Sequence, residues 1–130
     1  MYQSAVDPDR LEAKSEVRKL LLALAKEDET ISYSKLVEAV PKLNMKGPSP
    51  PLYRLLDIIA KEEVKKRGGP MISAIAVHKK KPNRPGGGFF GLACKLYPKR
   101  LTPTASSEEM HDFWKVERDA VVKWSRSQRE

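Results

Sequence analysis

The chain has 130 residues, the usual length of one domain and enough to bury a core without metal or disulfide support. Its apolar residues fall in short periodic runs, none near the roughly 18 residues of a membrane-spanning helix, and its one cysteine, Cys94, excludes an internal disulfide and a thiolate metal site. The net charge is +8, from 25 Lys and Arg against 17 Asp and Glu, and residues 61–100 hold most of that excess.

Asp7-Pro8 opens a first helix, with Asp as N-cap and Pro in the first turn, where its missing N–H costs nothing. Leu11, Val17, Leu20, Leu21 and Leu24 recur at helical spacing up to the acidic stop Glu27-Asp28-Glu29, as a core stripe. Ser32 is a possible N-cap for a short second helix carrying Leu36, Val37 and Val40, which Pro41 ends. After a polar loop from Lys42 to Ser49, Ser49-Pro50-Pro51 starts a third helix. Leu52, Leu55, Leu56 and Ile59 face inward there, Tyr53, Arg54, Asp57, Lys61 and Lys65 lie on other faces, and Gly68-Gly69-Pro70 ends it.

Met71 to Val77 is continuously apolar and rich in β-branched residues, which reads as a buried strand. The segment from His78 to Gly88 holds Lys79, Lys80, Lys81 and Arg84 among prolines and glycines, so residues 79–88 read as a flexible basic loop. Phe89 to Leu96 fits either a return strand or a short helix. Ser106 and Glu109 then form a capping-box pattern ahead of a last helix through Phe113, Val116, Glu117, Ala120, Val121 and Trp124, with 125–130 as a disordered tail. Trp114 and Trp124 read as packing residues.

The expected fold class is α+β, mostly α: a single winged helix-turn-helix domain over residues 1–130 with an additional C-terminal helix. In that arrangement the third helix enters a major groove and the basic loop acts as the wing. The run Ile31-Ser32-Tyr33-Ser34-Lys35-Leu36, the following helix, the Gly-Pro turn, the apolar strand leading to His78, and Gly86-Gly87-Gly88 together resemble the DNA-binding domain of O6-alkylguanine-DNA alkyltransferases and alkyltransferase-like proteins. The resemblance spans residues 31–90 and implies a winged-helix fold. That family carries Pro-Cys-His-Arg, or Pro-Trp-His-Arg in inactive members, where this chain has Gly69-Pro70-Met71-Ile72-Ser73, so the resemblance does not extend to alkyl transfer. Leu52-Tyr53-Arg54 is no close match to the family's base-flipping helix, although Tyr53 and Arg54 are residue types suited to that role. Pro70–Val77, Gly87–Ala93 and Phe113-Trp114 are also similar to small uncharacterised bacterial and phage proteins.

The expected activity is non-enzymatic binding of nucleic acid, DNA ahead of RNA, through Lys46, Tyr53, Arg54, Lys79, Lys80, Lys81 and Arg84. The alternative is a protein-interaction module, an inhibitor or adaptor docking the same cations on an acidic partner. An exposed apolar patch around Phe89, Phe90 and Tyr97 would favour that alternative. No catalytic residues, cofactor or metal are expected. His78 and His111 lack partners at ligand spacing, Gly86-Gly87-Gly88 lacks the Lys-Ser or Lys-Thr of a P-loop, and Ser73 and His78 would face opposite sides of a strand. Asp57, Glu62 and Glu63 read as surface salt-bridge partners. With no secretory signal visible in Met1 to Asp9, the expected location is cytoplasmic.

Overall fold

The computed structural model describes residues 8–128, so the Asp7 cap and residues 129–130 lie outside the described residues. The element order is α1 (Pro8–Lys26), β1 (Ile31–Ser32), α2 (Tyr33–Ala39), a 3-10 turn (Pro41–Leu43), α3 (Pro50–Arg67), a second 3-10 turn (Ile72–Ile75), β2 (Ala76–Val77), α4 (Gly87–Leu96) and α5 (Ser107–Ser127). The fold is mostly helical with one small two-stranded sheet, α+β in class.

Local chemistry sets the helix ends. Ser32 Oγ accepts the N–H of Lys35 and starts α2, and Gly68 closes α3 in the left-handed conformation that glycine adopts without a Cβ penalty. At α5 the capping box is complete, since Ser106 Oγ accepts from Glu109 N at 3.1 Å while the Glu109 carboxylate accepts from Ser106 N at 2.8 Å.

Along α1 the buried seam is Ala13, Val17, Leu21, Leu22 and Ala25, whereas Leu11 is exposed and Leu20 and Leu24 only partly buried. The core stripe therefore lies to one side of the leucines that mark it in the sequence, because small alanines let α1 close on α5 and on the Ile72–Ile75 turn. In α5 the buried face is Phe113, Trp114, Glu117, Val121, Val122 and Ser125, with Val116 60 % exposed.

The expected strand Met71–Val77 is a correction. Residues 72–75 form a 3-10 turn, and only Ala76–Val77 pair as strand, parallel to β1, with Ile31 opposite Ala76 and Ser32 opposite Val77. All seven residues are buried, so an apolar run marks burial without distinguishing strand from tight turn. The ambiguity at Phe89–Leu96 resolves as helix α4, so the basic loop joins a strand to a helix and is not the tip of a β-hairpin. The expected tail is also corrected over 125–127. Here α5 continues to Ser127, Ser125 is buried with its hydroxyl donating to Val122 O, and the Arg126 guanidinium donates to Lys26 O at the end of α1.

Two buried carboxylates tie α5 to the rest. Glu63, read from the sequence as a surface group, is fully buried. It accepts from Nε and Nη2 of Arg18 on α1 at 2.8 and 2.9 Å and from the indole N–H of Trp124 at 2.8 Å. Although burial pushes the Glu63 carboxyl upward, the hydrogen bonds from Arg18 and Trp124 and the charges of Arg18 and Arg67 outweigh it and hold the group below its usual range. Glu117 accepts from Met71 N at 2.8 Å, from the Tyr97 hydroxyl and from Arg100. Trp114 and Trp124 thus pack and also donate, Trp114 to Ala74 O at 2.9 Å.

Candidate functional site

The parallel register of β1 and β2 places Tyr33 and His78 side by side, one residue beyond the paired ends, with ring centroids 5.1 Å apart. Tyr53 on α3 meets the other side of Tyr33 edge-on, also at 5.1 Å. This three-ring row is the junction of α2, α3 and the basic loop.

From His78 the loop leaves and returns within a few residues, as His78 N donates to Arg84 O at 3.0 Å. Asn83 sits at φ 53°, a left-handed conformation that its short amide tolerates, and its Nδ2 donates to Lys79 O at 2.6 Å and to His78 O. Arg84 donates to Ser107 O and Ser107 Oγ, both at 2.9 Å, and lies over the Phe90 ring. The loop is therefore laced to its own backbone and to the start of α5. Gly87 and Gly88, the end of the expected flexible segment, are the first turn of α4.

Of the residues singled out in the sequence, the structure gathers Tyr53, Lys79 and Lys80 around one surface cleft with Tyr33, Ser34, Pro48 and His78. Lys80, Lys81 and Arg84 border a second cleft on the other side of the loop, against Phe90 and Met110. Lys79, Lys80 and Lys81 are exposed and form no ion pair among the described residues. Arg54 is exposed on α3 and Lys46 is exposed in the loop before it, and neither lines these clefts. Arg84 is spent on Ser107 and Phe90, so of the four loop cations it alone has a structural post. Tyr53 is half-buried against Tyr33, leaving part of its ring facing the cleft.

Sequence reasoning missed a cavity of about 240 Å3 directly beneath this junction. It is lined by Tyr33, Tyr53, Leu56, Asp57, Ser73, His78, Phe89 and the glycines 86–88. The Tyr33 hydroxyl accepts Gly86 N–H at 3.0 Å, and burial pushes its pKa to about 12, so it keeps a hydrogen to donate. Burial also raises the Asp57 carboxyl, against the lowering pull of Lys61 and Lys95, and no hydrogen bond reaches it among the described residues. Ser73 is 5 % exposed and its hydroxyl has no partner among the described residues. A strand from 71 to 77 would have separated Ser73 from His78, but the 3-10 turn brings both to this cavity. No periodicity in the sequence signals that turn.

Among the described residues no three His, Cys, Asp or Glu side chains converge as a metal site, and no helix is long and apolar enough to cross a membrane. Comparison with family models, with curated proteins and with solved structures finds no match to this chain.

Proposed function

We propose that the chain is a nucleic-acid-binding domain without catalytic activity, in which α3 enters a major groove of duplex DNA and the 78–86 loop serves as a wing on the adjacent backbone. The observation that carries this reading is the set of three exposed lysines, Lys79, Lys80 and Lys81, unpaired among the described residues and held on a loop that is itself anchored. Cations without carboxylate partners are available to phosphates, and releasing condensed counterions supplies affinity. An anchored loop loses less conformational entropy on binding than a free one. Tyr53 and Lys79 share a cleft, which puts helix and loop on one face, and Arg54 on α3 and Lys46 in the loop before it are further exposed cations. The resemblance of residues 31–90 to an alkyltransferase-type DNA-binding domain points the same way.

The protein-docking alternative lacks its distinguishing feature. Phe89 and Phe90 are buried at 6 % exposure each, and Tyr97 is half-buried beneath Arg100, so no apolar patch stands there. The test is fluorescence anisotropy with labelled duplex DNA, single-stranded DNA and RNA. Salt-sensitive binding that favours the duplex supports the reading, and absence of binding to all three at low salt overturns it.

A further inference from the structure

The side of α3 that faces away from the core is a single stripe. Helical spacing puts Arg54, Ile58, Lys61 and Lys65 within about 60° of one another around the helix axis, and all four are exposed. The buried residues Leu52, Leu55, Leu56, Ile59 and Glu63 occupy the opposite side. Arg54 and Lys65 form no ion pair among the described residues, and Lys61 interacts with the half-buried carboxylate of Asp57. Ile58 is out of place in that company. It is 46 % exposed and has no part in the core, and a β-branched side chain is a poorer helix former than Ala or Lys, so neither packing nor propensity calls for it.

Leu11 and Val116 are the other large apolar side chains exposed among the described residues, and their surroundings differ. Val116 lies between the exposed carboxylates of Asp112 and Asp119 at helical spacing, and Leu11 stands one turn before Lys14, whose charge is taken by Glu62. Ile58 lies between Arg54 and Lys61 at the same spacing. An apolar group flanked by cations matches a surface that is anionic at its edges and carries a methyl group on its floor. The major groove of duplex DNA at a thymine is such a surface, with phosphates along its walls and the C5-methyl group at its centre. Helix geometry sets the register. The first half of α3 is the half beside the basic loop, because Tyr53 shares a cleft with Lys79 and Lys80. A recognition helix reads bases with its N-terminal residues, so Arg54 and Ile58 fall on base edges. At 1.5 Å per residue, Ile58 stands about 6 Å beyond Arg54, and Lys65 about 10.5 Å beyond Ile58, where the helix meets the backbone.

Resting on the duplex-binding reading above, we infer that Ile58 is a specificity-determining residue that packs on the C5-methyl group of a thymine in the major groove, within about two base pairs of the base met by Arg54, while Lys65 holds the backbone.

The test selects duplexes bound by the full chain from a randomised pool and then replaces each thymine of the recovered site in turn by uracil, which removes only the methyl group. One such replacement is expected to weaken the wild type about fourfold in fluorescence anisotropy, the scale of one buried methyl group. Ile58→Ala is expected to bind the thymine duplex at least as weakly as the wild type binds that uracil duplex, and to make no distinction between the two. Its Tm is expected to be unchanged or raised, because an exposed isoleucine gives way to a better helix former. Lys65→Ala is expected to weaken both duplexes by the same factor, as the loss of a phosphate contact does. Salt-sensitive binding of all duplexes alike, with no site recovered, overturns the inference and leaves the duplex-binding reading standing. So does an equal response of wild type and Ile58→Ala to uracil. Absence of binding to any duplex at low salt overturns both. A wild type that sediments as a dimer, is indifferent to uracil and becomes monomeric on Ile58→Ala substitution overturns the inference by assigning the stripe to a second copy of the chain.

Discussion

Replacing Lys79, Lys80 and Lys81 together by alanine separates the electrostatic contribution of the loop from its architecture. The three side chains are exposed and unpaired among the described residues, and what holds the loop is backbone, Asn83 and Arg84, so the melting temperature is expected to stay within about 2 °C of wild type. If each lysine neutralises one duplex phosphate, the three contribute roughly 2.7 to the slope of log K against log salt. Between 50 and 200 mM salt, a fourfold change, that slope corresponds to about a 40-fold loss of affinity. The wild type is therefore expected to lose about 40-fold more affinity over that range than the triple variant. Fluorescence anisotropy of a labelled duplex at several salt concentrations reads both slopes. A variant that binds with unchanged slope and affinity refutes the assignment of these lysines to phosphate. A variant that loses Tm along with binding refutes the view that they are architecturally idle.

Arg84→Ala is expected to behave differently from the lysine variants. Losing two hydrogen bonds to Ser107 and the contact with Phe90 costs about 1–2 kcal/mol in denaturant unfolding, and with the loop released, duplex affinity falls without a full unit of salt slope being lost. Glu63→Gln leaves Arg18 and Arg67 without their buried carboxylate and is expected to cost about 3 kcal/mol, on the order of 10 °C in Tm by calorimetry. Because the folded pKa of Glu63 lies below its unfolded value of about 4.3, its contribution is fully present above that pH and disappears as pH falls through the lower folded value. Wild-type stability followed by urea titration is expected to drop steeply below about pH 4.3, and Glu63→Gln to show a shallower drop there. Ser106→Ala removes one arm of the capping box and is expected to cost about 1 kcal/mol, read as a lower urea midpoint at unchanged m-value.

Where side-chain chemistry acts within a few residues, the sequence is a good guide to this fold. Ser32, Ser106 with Glu109, Pro50 and Gly68 each mark a helix end because a cap or a missing N–H is a local device, and α2, α3 and α5 begin or end where those residues stand. The errors lie where distant packing decides. A run such as Met71–Val77 is apolar because it is buried, and it turns because α1, α3 and α5 all pack against residues 72–75, which nothing within the run itself encodes. Glu63 illustrates the same limit. On a helix with Lys61, Lys65, Lys66 and Arg67 flanking it, Glu63 reads as a surface charge, and only the approach of Arg18, 45 residues away, and Trp124, 61 residues away, makes it a buried anchor. The basic loop was legible as charge but not as a fixed shape, since the anchor at Ser107 comes from the last helix. The cavity had no local signature because its walls come from elements distant in sequence, brought together in part by the pairing of Ile31-Ser32 with Ala76-Val77. That two-residue parallel ladder brings Tyr33 beside His78, Tyr53 closes on Tyr33 from α3, and the Ile72–Ile75 turn sets Ser73 below them. A shift of the ladder by one residue would move Tyr33 away from His78 and detach its hydroxyl from Gly86, removing the link between the basic loop and the helical body. The smallest element in the molecule therefore has the largest influence on the surface that would meet a ligand.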